Sequence, residues 1–228
     1  MTLSDDLTLP LLQVKTSAEL LQSQNFSKVA ARQHVSETSL NIEVGLQLIE
    51  AYRILLSSSE VENLPVEPLA IGALLEDIAH KLTPYASEYK TKLQVSVQHR
   101  LTPVLVHEPT LHSAIEVLGS SLIRAQAAQS DEKSYKILLG AHRMADNSIA
   151  TGVFSSVHGL SDKTLRAARN LIGKARQPLP AVPPGAAAGV LVADMLCASM
   201  WQPLRAAAHN NLAGLATNIP ASKQLQFV

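Results

Sequence analysis

His107-Glu108-Pro109-Thr110-Leu111-His112 is the segment nearest to a recognisable chemical pattern. The zinc motif His-Glu-x-x-His puts two imidazoles four residues apart on one helical face, with the glutamate as general base. Here the second histidine arrives one residue late and Pro109 interrupts the run, so no metal is expected. His34, His80, His99, His142, His158 and His209 are scattered without a partner pattern. They read as surface or satisfied core positions. No Ser/His/Asp arrangement follows from spacing. Cys197 sits in the apolar run Met195-Leu196-Cys197-Ala198 and reads as an inert core residue. Gly185 and Gly189, taken alone, mark a helix start with small residues for close packing. Ser4-Asp5-Asp6 reads as a helix N-cap followed by two acids in the first turn, where the helix dipole favours them.

Composition narrows the function classes. Nineteen basic residues balance nineteen acidic ones, with pI near 7.1, so no basic excess supports nucleic-acid binding. One cysteine excludes an intrachain disulfide framework or a multi-thiolate metal site. Aromatic residues make up only 4%, so the core must be built from Leu, Val, Ile and Ala. The charged fraction of 17% is low for a soluble chain, which suggests surface buried against another copy. The first residues lack a basic start and a long apolar run, so no signal peptide is expected. The most apolar stretch, 185–201, carries Asp194 and is too short and alanine-rich to span a membrane. The expectation is a cytoplasmic protein without a membrane segment.

The elements that must position these residues fall into two groups. Leu7, Leu11, Val14, Ala18 and Leu21 alternate at spacings of four and three, a heptad seam. Val35, Ile42, Ile49 and Leu56 repeat every seven. Two helices of roughly 20–28 residues, each about 30–40 Å long, would turn at 23–28. Pro10 should kink the first. Neither helix can bury its stripe alone, so the hairpin should pair with a second one in a dimeric four-helix bundle. Ser57-Ser58-Ser59 to Pro65 reads as a linker. Beyond it, strands are expected at 68–71, 93–97 and 103–106, the last two pairing with each other. A hairpin follows over 135–154, and two final strands flank His209-Asn210-Asn211. Helices are expected over 72–87, 109–127, 162–175 and 189–201. The fold class is α+β: residues 1–60 a dimerising hairpin, residues 66–228 an α/β sandwich with helices on one face of a mixed sheet.

Ser4-Asp5-Asp6-Leu7-Thr8-Leu9-Pro10-Leu11 resembles the phosphoacceptor box of sensor histidine kinases, usually Ser-His-Glu-Leu-Arg-Thr-Pro-Leu, with Asp5 in the place of the histidine. The order of elements after residue 66 resembles that family's ATP-binding domain. Glu108 and Leu111 fit the start of its nucleotide-binding helix. Ser121 stands where the family has a magnesium-ligating Asn. Ser155-Ser156-Val157-His158-Gly159-Leu160 stands for Asp-x-Gly-x-Gly-Ile, so the adenine-reading Asp becomes Ser155 and the first Gly becomes Val157. Gly185-Ala186-Ala187-Ala188-Gly189-Val190 resembles the second glycine box, with Ala187 at its middle Gly. Asn218-Ile219-Pro220 resembles the closing Leu-Pro.

The resemblance implies a two-component signalling protein of histidine-kinase type with its phosphate-handling groups replaced. No residue is expected to be catalytic. Asp5 is only the position equivalent to the phosphoacceptor, because aspartates that accept phosphate work in acidic, metal-loaded pockets. Ser121, Ser155, Gly159, Gly185 and Gly189 are expected as remnants of a nucleotide site that holds neither ATP nor magnesium. A serine hydroxyl is a poorer magnesium ligand than the Asn amide oxygen. Each lost buried polar contact weakens binding by about 1–3 kcal/mol. The expected partners are a second copy of the chain and a response regulator or histidine kinase, met through Asp5, Asp6, Thr8, Leu12 and the 33–50 face. The alternative is a divergent ATP-binding kinase or phosphotransferase with a rebuilt site. Sensor kinases usually carry a sensing domain ahead of the box, and none is expected here.

Overall fold

A computed structural model describes residues 3–23, 27–60, 64–129, 135–155, 161–171 and 187–222. Two long helices come first, α1 (Leu3–Ser23) and α2 (Lys28–Glu60). Ser27 caps α2, its hydroxyl accepting from the Ala30 N–H at 3.3 Å. Helix α2 runs through Ser57-Ser58-Ser59, the segment expected to be a linker. The reason is local: the Ser57 hydroxyl donates to the Arg53 carbonyl at 2.8 Å, one turn back, and so needs no break in the helix.

The sandwich follows as β1 (Glu67–Leu69), α3 (Ile71–Glu88), β2 (Thr91–Val97), β3 (Val104–Val106), α4 (Glu108–Gln129), β4 (Tyr135–Arg143), β5 (Ile149–Ser155), α5 (Asp162–Leu171), α6 (Ala187–Ser199), β6 (Arg205–His209) and β7 (Leu212–Ile219). The main sheet has the order β2-β4-β5-β7-β6. The pair β2–β4 is parallel, with α4 in the crossover, and the other neighbours are antiparallel. The expected pairing of 93–97 with 103–106 does not form. Strand β3 pairs instead with β1, Val106 opposite Glu67, and β2 takes β4 as its neighbour. Closeness in sequence favoured the hairpin. The nine-residue β4 offers a full-length ladder and a deeply buried face, which three-residue β3 cannot.

Alternation along the strands sorts the core. Ile137, Leu139, Ala141, Ile149 and Val153 face the helices, while Leu138, Ala150 and Phe154 form a small cluster on the other side. Asn210 and Asn211 turn β6 into β7, both at positive φ (48° and 63°), as a two-residue primed turn requires. Helix α6 ends in a Schellman motif. The Trp201 N–H donates to the Ala198 carbonyl (2.9 Å) and the Gln202 N–H to the Cys197 carbonyl (3.0 Å). Trp201 therefore sits at φ 62°, where glycine is the default. Holding a side chain there costs on the order of 1 kcal/mol.

One buried charge ties the later elements together. Asp194 of α6 takes two hydrogen bonds of 2.7 Å from Arg169 of α5 and one of 3.0 Å from the Leu204 N–H ahead of β6. Arg169 also donates to the Leu204 carbonyl at 2.7 Å. The Asp194 side chain is 4% exposed and that of Arg169 34%. Replacing Asp194 by Ala strands the Leu204 N–H and the guanidinium. Urea unfolding of Asp194→Ala should show a loss of about 2–3 kcal/mol, below the range for a fully buried pair because Arg169 keeps partial contact with water.

Candidate functional site

Helix α4 lies at the centre of the helical layer. Leu111, Ala114, Ile115, Val117, Leu118, Leu122 and Ile123 are all buried, with the polar His112, Glu116 and Arg124 only partly exposed, so the helix is covered on nearly every side. Where α6 crosses it, the two backbones come close. A Cβ placed on Gly189 would lie 1.7 Å from the Ser121 hydroxyl oxygen, 2.8 Å from the Ser121 Cβ and 3.2 Å from the Val117 carbonyl oxygen. The Ser121 hydroxyl thus fills the space against the α6 backbone. Arg124, one turn on, reaches it with an N–H at 3.5 Å. Ser155 is buried at the end of β5, opposite Ile137 and Ala213. Strand alternation puts its side chain on the helix-facing side, with Ile149 and Val153.

Of the five residues read as remnants of a nucleotide site, then, Ser121 and Gly189 are in contact and Ser155 faces the same layer. Gly159 and Gly185 lie outside the described residues. At the junction α4 and α6 present a serine hydroxyl and peptide backbone to each other. That chemistry suits helix packing.

The hairpin packs on this layer through one face of α2. Val44, Leu48, Ala51 and Ile54 are buried in the same continuous cluster as α4 and α6. The stripe with the heptad spacing points elsewhere: Val35, Ile42, Ile49 and Leu56 are 58%, 47%, 45% and 65% exposed. On α1, Asp5, Asp6 and Thr8 occupy the first turns. Leu12 is more than half exposed and borders a cavity of about 560 Å³ with Gln13, Leu40, Asn41 and Tyr89.

A polar chain spans three helices beside this contact. His112 of α4 has Nε2 3.0 Å from Asp77 Oδ2 of α3 and Nδ1 3.3 Å from Glu116 Oε2. The Gln47 amide of α2 donates to the other Glu116 oxygen at 3.4 Å. Both ring nitrogens face carboxylates, so the imidazolium form donates on both sides. Lys81 lies 3.0 Å from the same Asp77 oxygen and 3.1 Å from His112 Nε2. Lysine and imidazolium are both donors, so their shared bond is the carboxylate. The hydrogen bond to Glu116, opposed by burial and helped by Asp77, raises the His112 pKa above its ordinary 6.5. Hydrogen bonds from His112 and then Lys81 hold Asp77 below the usual carboxylate range.

His107 turns to Thr110, Nδ1 to hydroxyl 2.6 Å, so the two histidines of the near-zinc segment serve different partners. Among the described residues no group of three or more His, Cys, Asp or Glu is arranged for a metal. Cys197 is fully buried, and burial, then the nearby Asp194 charge, push its thiol up to about 12, which makes it unreactive. No described helix is long and apolar enough to cross a membrane. Sequence reading missed the Asp77–His112–Glu116–Gln47 chain. Its visible signals were the two i, i+4 pairs, Asp77 with Lys81 and His112 with Glu116. Nothing local linked one to the other.

No protein-family model matches the sequence, and no curated protein does. Solved structures do. The chain is similar to full-length ShkA in complex with AMPPNP, with TM-score 0.54 and 16% identity over 96% of this chain and 45% of ShkA. It is similar to the Acinetobacter baumannii histidine kinase AdeS, with TM-score 0.57 and 12% identity over 93% of this chain and 95% of AdeS. It is also similar to histidine kinase ThkA in complex with response regulator protein TrrA, with TM-score 0.55 and 8% identity over 96% of this chain and 60% of that one. The chain spans about half the length of full-length ShkA. At these identities the likeness defines the fold: the mixed sheet and its helices have the architecture of the histidine kinase ATP-binding domain.

Two outcomes follow from the site. Gly189→Ala should cost about 1–3 kcal/mol by overpacking. Ser121→Ala, which removes the hydroxyl at 1.7 Å and leaves the Cβ at 2.8 Å, should restore part of the loss, and Ser121→Gly should gain little more, because a glycine inside α4 costs about 1 kcal/mol; thermal unfolding of the three variants decides. His112, with its folded pKa raised, contributes stability that is full below pH 6.5 and lost as pH rises through the folded value. The stability gap between wild type and His112→Gln in urea should therefore be widest below pH 6.5 and narrow as the pH rises above it.

Proposed function

We propose that this chain is a histidine-kinase-like signalling protein of two-component type that does not transfer phosphate and acts by binding. It works as a homodimer, through a four-helix bundle of two hairpins, and docks a response regulator or a histidine kinase. The contact of Ser121 with the Gly189 backbone carries this reading. At the position of the family's metal-ligating Asn there is a hydroxyl used for packing. Asp5 in the phosphoacceptor position and Ser155 in that of the adenine-reading Asp point the same way. The exposed Val35, Ile42, Ile49 and Leu56 stripe supports the dimer. Covering what remains exposed of each would contribute about 1 kcal/mol per residue, doubled by symmetry. The complex of ThkA with a response regulator supports the choice of partner. The contacts would come from Asp5, Asp6, Thr8 and Leu12 on α1 and the 33–50 face of α2.

The test has two readouts. Light scattering should give the mass of two chains for the wild type and of one for Ile42→Glu/Ile49→Glu. Receiver domains from the source organism should co-elute with the wild type and gain no phosphate from it in the presence of ATP. A one-chain mass for the wild type contradicts the dimer. Phosphate transfer contradicts the loss of catalysis.

A further inference from the structure

The end of the sandwich remote from Ser121 and Ser155 holds an open cavity of about 730 Å³, bordered by Arg143, Asp146, Trp201, Pro203, Arg205 and Pro220. It lies at the Ile149 end of β5, about 20 Å from Ser155 by the rise of the strand. Trp201 is the chain's only tryptophan and is 89% exposed. It occupies the left-handed position that closes α6, where glycine would fit without strain. Its indole is not repaid by burial within the chain, and a strained, solvent-facing side chain points outward to a function. Tryptophan and arginine are also the residues that most often dominate protein interfaces.

The charges agree. Arg205 is exposed and makes no side-chain hydrogen bond or ion pair among the described residues. Arg143 donates to the Arg100 carbonyl at 3.4 Å and keeps its charge without a carboxylate partner among the described residues. Asp146 keeps its negative charge, one oxygen accepting from the Ser148 N–H (2.9 Å) and hydroxyl (2.6 Å), so the two guanidiniums outnumber the one carboxylate on the cavity's rim. Two prolines give flat apolar edges beside the indole. We propose that this cavity docks an acidic peptide segment of a partner protein, whose carboxylates meet Arg143 and Arg205 while an aromatic side chain lies on Trp201 between Pro203 and Pro220. A nucleic-acid strand fits less well, because two arginines do not make a phosphate track and the chain as a whole is neutral. The surface is separate from the hairpin contacts proposed above and does not depend on them.

The probe is a fluorescein-labelled ten-residue peptide of glutamates with one central phenylalanine, read by anisotropy against the full chain. Binding should saturate, and Trp201 emission, the only indole signal, should move to shorter wavelength. Trp201→Gly and Arg205→Gln should each weaken binding at least about ten-fold. Trp201→Gly should melt at the wild-type temperature or higher, since glycine suits that φ. Loss of binding is then not loss of fold. Four results would each overturn the proposal: no binding of the glutamate peptide, equal binding of its lysine counterpart, undiminished binding by Trp201→Gly, or tighter binding of a ten-nucleotide single strand.

Discussion

Helix α4 has almost no solvent-facing side over its middle turns, and its neighbours are placed by the small residues on its flanks. Gly119 admits α3: a Cβ there would lie 2.7 Å from a Leu82 methyl. Ser121 meets α6 at Gly189. The sheet lies beneath, and α2 covers α4 and α6 from above through Val44, Leu48, Ala51 and Ile54. The two glycines differ in what an added methyl would meet: at Gly119 only the tip of the Leu82 side chain, which can turn aside, at Gly189 the Ser121 Cβ and the Val117 carbonyl, which can yield only if the helices shift. The same packing accounts for the character of the candidate site, where hydroxyl and backbone are used to bring helices together.

Helix α2 links the two halves of the chain by having two apolar faces. One is spent on the sandwich. The other, with heptad spacing, stays uncovered in the single chain and is suited to a second hairpin. Gln47 adds a polar link to Glu116 and so to the imidazolium of His112. The hairpin is therefore seated by both hydrophobic burial and a titratable network. A change in that network would alter how firmly the hairpin holds to the sandwich.

Much of the architecture was legible because the signals were local. Alternation from Leu93 to Val97 marked β2, and the Asp146-Asn147 turn marked the hairpin of β4 and β5. Asn210-Asn211 marked the last hairpin. Val35, Ile42, Ile49 and Leu56 marked a helical seam. What failed was what depends on distance in the chain. The pairing of β2 with β4 needed the α4 crossover, and the adjacent Val104–Val106 segment was the more obvious partner. The serines after Arg53 looked like a linker because a bond from a hydroxyl to its own helix leaves no trace in composition. Arg169 and Asp194, 25 residues apart, met only in three dimensions. The site residues divide the same way: Ser121 and Gly189 could be matched to family boxes one at a time, but their mutual contact could not be read from either.

The proposed function rests on a fold like that of the histidine kinases in which the positions resembling phosphate-handling residues, Ser121 and Gly189, serve helix packing. Calorimetric titration of the intact chain with ATP and magnesium measures this most directly. The account predicts no heat of binding up to millimolar nucleotide. A saturable isotherm with a micromolar dissociation constant would contradict it.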